Sequence, residues 1–262
     1  MTVQLPPKPT RDEWIAYFSS FERIVLYANA SGRTVTSPPE GALAVVFNRF
    51  VVPGLELGDT PTLLVARNGA KGIGLVYRDV LDDVLAKFGG DGPNHVVRMT
   101  TIRRFKRTDA HELPVPYVDL DLRDHFDAVY PEGTVPSTGY AMTAWLVSLG
   151  LDATIELQGF TGVRSETNKI SYQHDWTFER ASLRIFAASD AIEGFDAGGT
   201  DPLPALRRAH PGLDDGALRD AYVAAIRERI AGNEFLQDRL MSATRALRWL
   251  ADMRRRMKGK RR

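Results

Sequence analysis

Three short runs of apolar residues, each closed by a polar turn, constrain this chain more than any other feature. Residues 23–28 (Arg-Ile-Val-Leu-Tyr-Ala) end in Asn29-Ala30-Ser31-Gly32, Ala42 to Phe47 ends in Asn48, and Thr62 to Ala66 ends in Arg67-Asn68-Gly69. Runs of this length without alternation read as strands buried on both faces, the condition of a parallel sheet covered by helices. The sequence therefore predicts an α/β fold: a Rossmann-like, mostly parallel sheet with helices on both faces. In such sheets ligands bind beyond the carboxyl ends of the strands, which makes Asn29 and Asn48 candidate nucleotide contacts. Asparagine is equally a good turn residue, and that reading accounts for either position without a ligand.

Downstream, Val76 to Phe88 has helical spacing and is closed by Gly89-Gly90 and Gly92-Pro93, and His95 to Ile102 reads as a further strand. Residues 103–135, charged and interrupted by Pro114, Pro116 and Pro131, read as a long connection or lid. Pro136-Ser137-Thr138-Gly139 then introduces the apolar stretch Tyr140 to Leu149, a helix with a hydroxyl cap and a terminal Gly150. Ala153 to Leu157 is the next strand, stopping at Gly159-Phe160. A final helical region begins near Leu213 and, with a break at Gly232-Asn233, runs into the basic tail. These divisions give a main α/β domain over 1–200 and a C-terminal helical extension with a basic tail over 201–262, with no internal repeat.

Charge and composition narrow the classes. From Arg245 to Arg262 nine arginines and lysines stand against Asp252 alone, so the net +1 of 262 residues divides into a body of −7 and an end of +8. Leu247, Trp249, Leu250, Met253 and Met257 are interleaved with those cations. The end is a solvated tail or a basic amphipathic helix suited to an anionic membrane face. Nucleic acid is not the expected partner, because the remainder lacks a basic surface. The chain has no cysteine, which excludes disulfides, thiolate zinc sites and a cysteine nucleophile and fits a reducing compartment. The first thirty residues carry Pro6, Pro7, Pro9, Arg11, Asp12 and Glu13 with no apolar run long enough for a signal peptide or a span. The expected location is cytoplasmic, with peripheral contact at the inner membrane face through the tail.

Four local features carry candidate chemistry. Hydroxyl residues and a glycine at a helix start, as in Pro136 to Gly139, suit a phosphate or carboxylate, because unsatisfied amides and the positive dipole end converge there. His174-Asp175-Trp176-Thr177-Phe178-Glu179 places a histidine just before a helix beginning near Asp175, where it can take a proton from a hydroxyl near neutral pH. Asp119-Leu120-Asp121 has the acid-x-acid spacing of a divalent-metal clamp, although two carboxylates do not define a site. Gly69-Ala70-Lys71-Gly72-Ile73-Gly74 fits neither the phosphate-loop nor the dinucleotide fingerprint and reads as a mobile loop.

In order, these pieces resemble the sialyltransferase superfamily in its bacterial, disulfide-free form. The Pro136–Gly139 turn followed by a helix, a strand and Gly159-Phe160 is similar to the family's short motif. The His174 to Glu179 segment looks like its very short motif, and the strands ending at Asn29 and Asn48 resemble the two halves of its long donor-binding motif. The resemblance covers roughly 23–50 and 131–186; Ala28 stands where the family has an early glycine, and no second histidine lies between Phe160 and His174. It implies a variant GT-A fold and metal-independent, inverting transfer of an acidic sugar, sialic acid or Kdo, from a CMP-sugar to a hydroxyl of a glycan or glycolipid. Asn29, Asn48, Ser137, Thr138, Gly139, Gly159 and Phe160 would then bind the donor and His174 would be the general base. Tyr172 would stabilise the departing phosphate, and Glu179 would support the base. No metal or other cofactor is expected. The alternatives are a metal-dependent transferase using Asp119 and Asp121 with a diphosphate donor, and a non-catalytic glycan- or membrane-binding domain of the same fold.

Overall fold

The computed structural model describes residues 4–28, 35–49, 52, 54–88, 93–103, 109–160, 174–195, 203–224 and 226. It divides into two compact units, residues 1–198 and 199–262.

The first unit is built on a seven-stranded sheet. Its strands are β1 (Arg23–Tyr27), β2 (Ala42–Phe47), β3 (Thr62–Gly69), β4 (Gly72–Ile73), β5 (His95–Thr100), β6 (Val118–Asp121) and β7 (Thr154–Gln158). The spatial order is β6-β5-β3-β2-β1-β7, all parallel, with β4 antiparallel on β3. The predicted α/β architecture is thus the one observed.

Alternation along each strand explains why helices cover both faces. Ile24, Leu26, Leu43, Val45, Leu63, Val65, Ile155 and Leu157 point to one side, where they meet α1 (Arg11–Phe18), α4 (Arg123–Val129), α5 (Thr138–Leu149) and α6 (Trp176–Ala188). Val25, Tyr27, Ala44, Val46, Leu64 and Ala66 point to the other, where Leu75, Leu81 and Val84 come from α2 (Gly74–Tyr77) and α3 (Leu81–Leu85). Strands buried on both sides have no polar face to show, hence their continuous apolar runs. α1 starts at a capping box between Thr10 and Glu13 and buries Trp14, Tyr17 and Phe18, with Trp14 edge-on to Trp145 of α5 at 5.3 Å.

Several details differ from the sequence reading. The single helix expected over 76–88 is two short ones, because Asp79 takes a left-handed backbone (φ 54°) that no α-helix continues through. The glycine-rich stretch from Gly69 is a tight hairpin: Gly69 pairs with Gly72, and a Cβ at Gly72 would lie 2.4 Å from the Ala110 carbonyl oxygen. The expected lid over 103–135 contains edge strand β6 and helix α4. β6 is hidden in the sequence because Asp119 and Asp121 break its apolar pattern, and Asp119 is held in place by Arg98 across the ladder at 2.6 Å.

In the second unit, helical structure begins earlier than Leu213, at α7 (Leu203–Ala209), and resumes over 215–224. Arg207 pairs with Asp215 at 2.6 Å, joining the two segments. The expected break at Gly232-Asn233 and the basic tail from Arg245 to Arg262, with its proposed membrane contact, lie outside the described residues. Among the described residues no helix is long and apolar enough to cross a membrane.

Candidate functional site

The strand order creates one natural crevice. From β1 the chain adds strands in one direction through β6, and only β7 returns to the opposite side of β1, so the order reverses between β1 and β7. Loops leaving neighbouring strands at such a point diverge and leave room for a ligand at the carboxyl edge. Here Ala28 follows β1 and Gly159-Phe160 follow β7, and the Ala28 N–H donates to the Gln158 carbonyl at 2.9 Å. Gly159 has φ +76°, and a Cβ there would sit 2.9 Å from the Ala28 carbonyl oxygen, so both backbone and space demand glycine.

The start of α5 faces the same edge. Ser137 has extended backbone and caps the helix, its Oγ accepting from the Tyr140 N–H at 3.3 Å. Gly139 lies under Phe160, whose ring would be 2.8 Å from a Cβ at that position, and Phe160 meets Phe47 edge-on at 6.4 Å. Asn48, in left-handed backbone (φ 50°) at the end of β2, joins three elements. Its N–H donates to the Val65 carbonyl at 2.9 Å, its Oδ1 accepts from the Arg67 N–H at 3.0 Å, and its Nδ2 donates to Thr138 Oγ1 at 3.2 Å. The structure therefore gathers Asn48, Ser137, Thr138, Gly139, Gly159 and Phe160. Asn29 and Tyr172 lie outside the described residues.

Glu179 reaches this cluster from α6, and His174 from the residue before its N-cap. Asp175 caps the helix by accepting from the Phe178 N–H at 2.9 Å, which fixes His174 immediately outside the first turn. The ring of His174 lies 2.6 Å from the Val135 carbonyl through Nδ1. A carbonyl only accepts, so Nδ1 carries the proton and Nε2 keeps its lone pair. Burial lowers the imidazole pKa, and the charge of Arg67 lowers it further against the contrary pull of the Val135 bond. The His174 imidazole is thus uncharged at neutral pH.

Glu179 is only 3% exposed, and both its carboxylate oxygens are hydrogen-bonded. It accepts from the Ser137 N–H at 2.6 Å, the Ser137 hydroxyl at 2.6 Å and the Tyr130 hydroxyl at 2.9 Å. The Tyr130 oxygen in turn accepts from the Asp175 N–H at 3.1 Å. Burial raises the Glu179 pKa, and the donors from Ser137 and Tyr130 and the charge of Arg67 oppose that rise. One acidic side chain thereby locks the segment bearing His174 to the capped end of α5.

The sequence reading missed Tyr130 and Arg67. Tyr130 lies in a stretch that looked irregular, beside Pro131. Arg67 had a visible signal, a cation immediately after an apolar strand run, but without the sheet order nothing tied it to His174 or Glu179.

Asp119 and Asp121 are elsewhere, on outer strand β6. Asp119 is gripped by two nitrogens of Arg98, at 2.6 and 2.8 Å, and Asp121 by Arg123 through its Nε at 2.8 Å. The Arg123 guanidinium holds the Asp121 carboxyl below its ordinary range. A roomy cleft of about 640 Å³ runs past them, lined also by Arg11 and His125, but its acidic groups are spent on arginines. Among the described residues no cluster of three or more His, Asp or Glu could hold a metal. No family model, no curated protein and no solved structure matches the chain.

Proposed function

We propose that the chain is an inverting glycosyltransferase that moves an acidic sugar, sialic acid or Kdo, from its CMP-linked donor to a hydroxyl of a glycan or glycolipid, without a metal. The observation that carries this reading is the double hydrogen bond from Ser137 to Glu179. It joins the two segments whose sequences resemble the sialyltransferase short and very short motifs, in the sheet crevice where an α/β fold binds ligands.

The chemistry follows from the groups present. His174 Nε2 takes the proton of the acceptor hydroxyl as its oxygen forms a bond to the anomeric carbon. The bond from that carbon to the phosphate oxygen breaks on the opposite side, and CMP leaves with the electron pair. One displacement inverts the anomeric centre. The leaving group carries a single phosphate, so the Thr138 and Gly139 amides at the start of α5 with the Thr138 hydroxyl stabilise the charge that develops, while the Ser137 donors stay on Glu179. Glu179 takes no proton in this scheme; it holds the base and the helix start in one geometry.

The experiment is a thermal-shift screen with CMP, CDP, UDP and GDP. A ligand that binds only the folded state stabilises it by mass action, by about 2.7 kcal/mol at a hundredfold excess over Kd, and so raises its melting temperature. Selective stabilisation by CMP is expected; preference for a diphosphate, or no response to any of the four, overturns the reading.

A further inference from the structure

Among the described residues, Arg67 is a charge without a hydrogen-bonded or ion-paired partner in a place where charges are costly. It is partly buried at the end of β3, and its guanidinium makes no hydrogen bond and no ion pair with any described residue. Its field nevertheless reaches Glu179, Tyr130 and His174. Glu179, the acidic group its field reaches, makes no hydrogen bond to it; the Glu179 oxygens accept from Ser137 and Tyr130 instead. Its backbone is pinned by Asn48, the same side chain that holds Thr138 at the start of α5. Burial lowers the pKa of the group, the signature of a cation kept from water without full compensation. Four other arginines of this unit are treated differently: Arg23, Arg98, Arg103 and Arg123 each sit on a carboxylate.

We infer that Arg67 is an oxyanion-binding residue, whose guanidinium and the amides of the α5 start together hold a carboxylate or phosphate of the ligand beside His174. A guanidinium offers two parallel donors to a planar oxyanion, the pairing for which its geometry is best suited. Oxyanion chemistry is read from the site itself; only the identification of the two sources, the donor's phosphate and the carboxylate of its sugar, rests on the proposed function. Until an anion arrives, the uncompensated cation disfavours the folded state, as functional groups often do.

The test uses the full-length protein with Arg67→Met, Arg67→Lys and, as control, the exposed Lys71→Met. Binding of inorganic phosphate, CMP and the CMP-linked acidic sugar is followed by calorimetry, alongside melting temperature. Arg67→Met is expected to melt no lower than wild type and to lose about tenfold to a hundredfold in affinity for whichever probes present the oxyanion. Arg67→Lys is expected to recover part of that loss and Lys71→Met to bind as wild type. An equal loss for CMP and the CMP-sugar identifies the phosphate; a loss for the CMP-sugar alone identifies the carboxylate. Phosphate binding that depends on Arg67 without any CMP binding keeps the oxyanion site and sinks the transferase reading. CMP binding untouched in both Arg67 variants, together with unchanged binding of the CMP-sugar and phosphate, sinks the oxyanion site and keeps the transferase. Binding of none of the three probes by wild type, or a melting temperature that falls in both Arg67 variants with unchanged affinities, refutes the inference.

Discussion

Replacing Glu179 tests the joint on which the site depends. In Glu179→Ala the Ser137 N–H loses its partner, while the Ser137 and Tyr130 hydroxyls can turn to other acceptors. A buried donor left unsatisfied costs about 1–3 kcal/mol, and the emptied volume adds to it. Removing a desolvated carboxylate offsets part of the loss, which leaves about 3 kcal/mol of destabilisation. For a folded unit of this size that is a fall of about 6–12 °C in melting temperature. Glu179→Gln behaves differently. Its carbonyl oxygen can accept from Ser137 N–H and Tyr130, and its amide can donate to Ser137 Oγ, which has a second lone pair beside the one facing Tyr140 N–H. Charge assistance is lost, but so is the larger cost of burying the charge, so Glu179→Gln is expected to melt no lower than about 2 °C below wild type.

Scanning calorimetry across pH separates the two effects. Because burial raises the Glu179 pKa, its contribution to stability is full below the ordinary carboxylate range and is lost as pH rises through the raised folded value. Wild type therefore loses stability with rising pH in that window more steeply than Glu179→Gln. If Glu179→Gln melts as low as Glu179→Ala, or if Glu179→Ala melts within about 2 °C of wild type, the three-donor account of this joint is wrong.

Two further outcomes follow. Gly139→Ala drives a Cβ to within 2.8 Å of the Phe160 ring, so it is expected to lower stability by about 1–3 kcal/mol, and pairing it with Phe160→Ala should recover part of the difference in a double-mutant cycle. Asp119→Asn breaks the two-pronged bond to Arg98 and is expected to lower the melting temperature, while EDTA leaves donor turnover unchanged; loss of turnover that manganese restores favours the metal-dependent alternative.

Much of this arrangement is legible in the residues, and what is not has physical causes. The strands that bury both faces announce themselves, since Ile24 to Tyr27, Ala42 to Phe47 and Thr62 to Ala66 have no solvent side to reveal. The α5 cap and the Asp175 cap are local chemistry and fall where their hydroxyl and carboxylate place them. β6 is hidden because an edge strand can carry charges, here matched by Arg98 from the neighbouring strand rather than by anything near in sequence. The Ser137–Glu179 bond spans 42 residues and the Asn48–Thr138 bond 90, so neither can be read from spacing. Arg67 becomes meaningful only once the sheet order sets β3 beside β2 and the α5 start.

The central claim is that His174 is the base of a CMP-sugar transferase, and release of CMP from the CMP-linked acidic sugar, with water as acceptor, measures it most directly. Wild type is expected to turn over through neutral pH and to lose rate as acid protonates His174, at a pH below the ordinary imidazole range because its pKa is lowered by burial. His174→Gln is expected to lower kcat by about 10²–10⁴-fold with KM little changed. Turnover by His174→Gln at the wild-type rate, or a wild-type rate that rises as His174 is protonated, contradicts it.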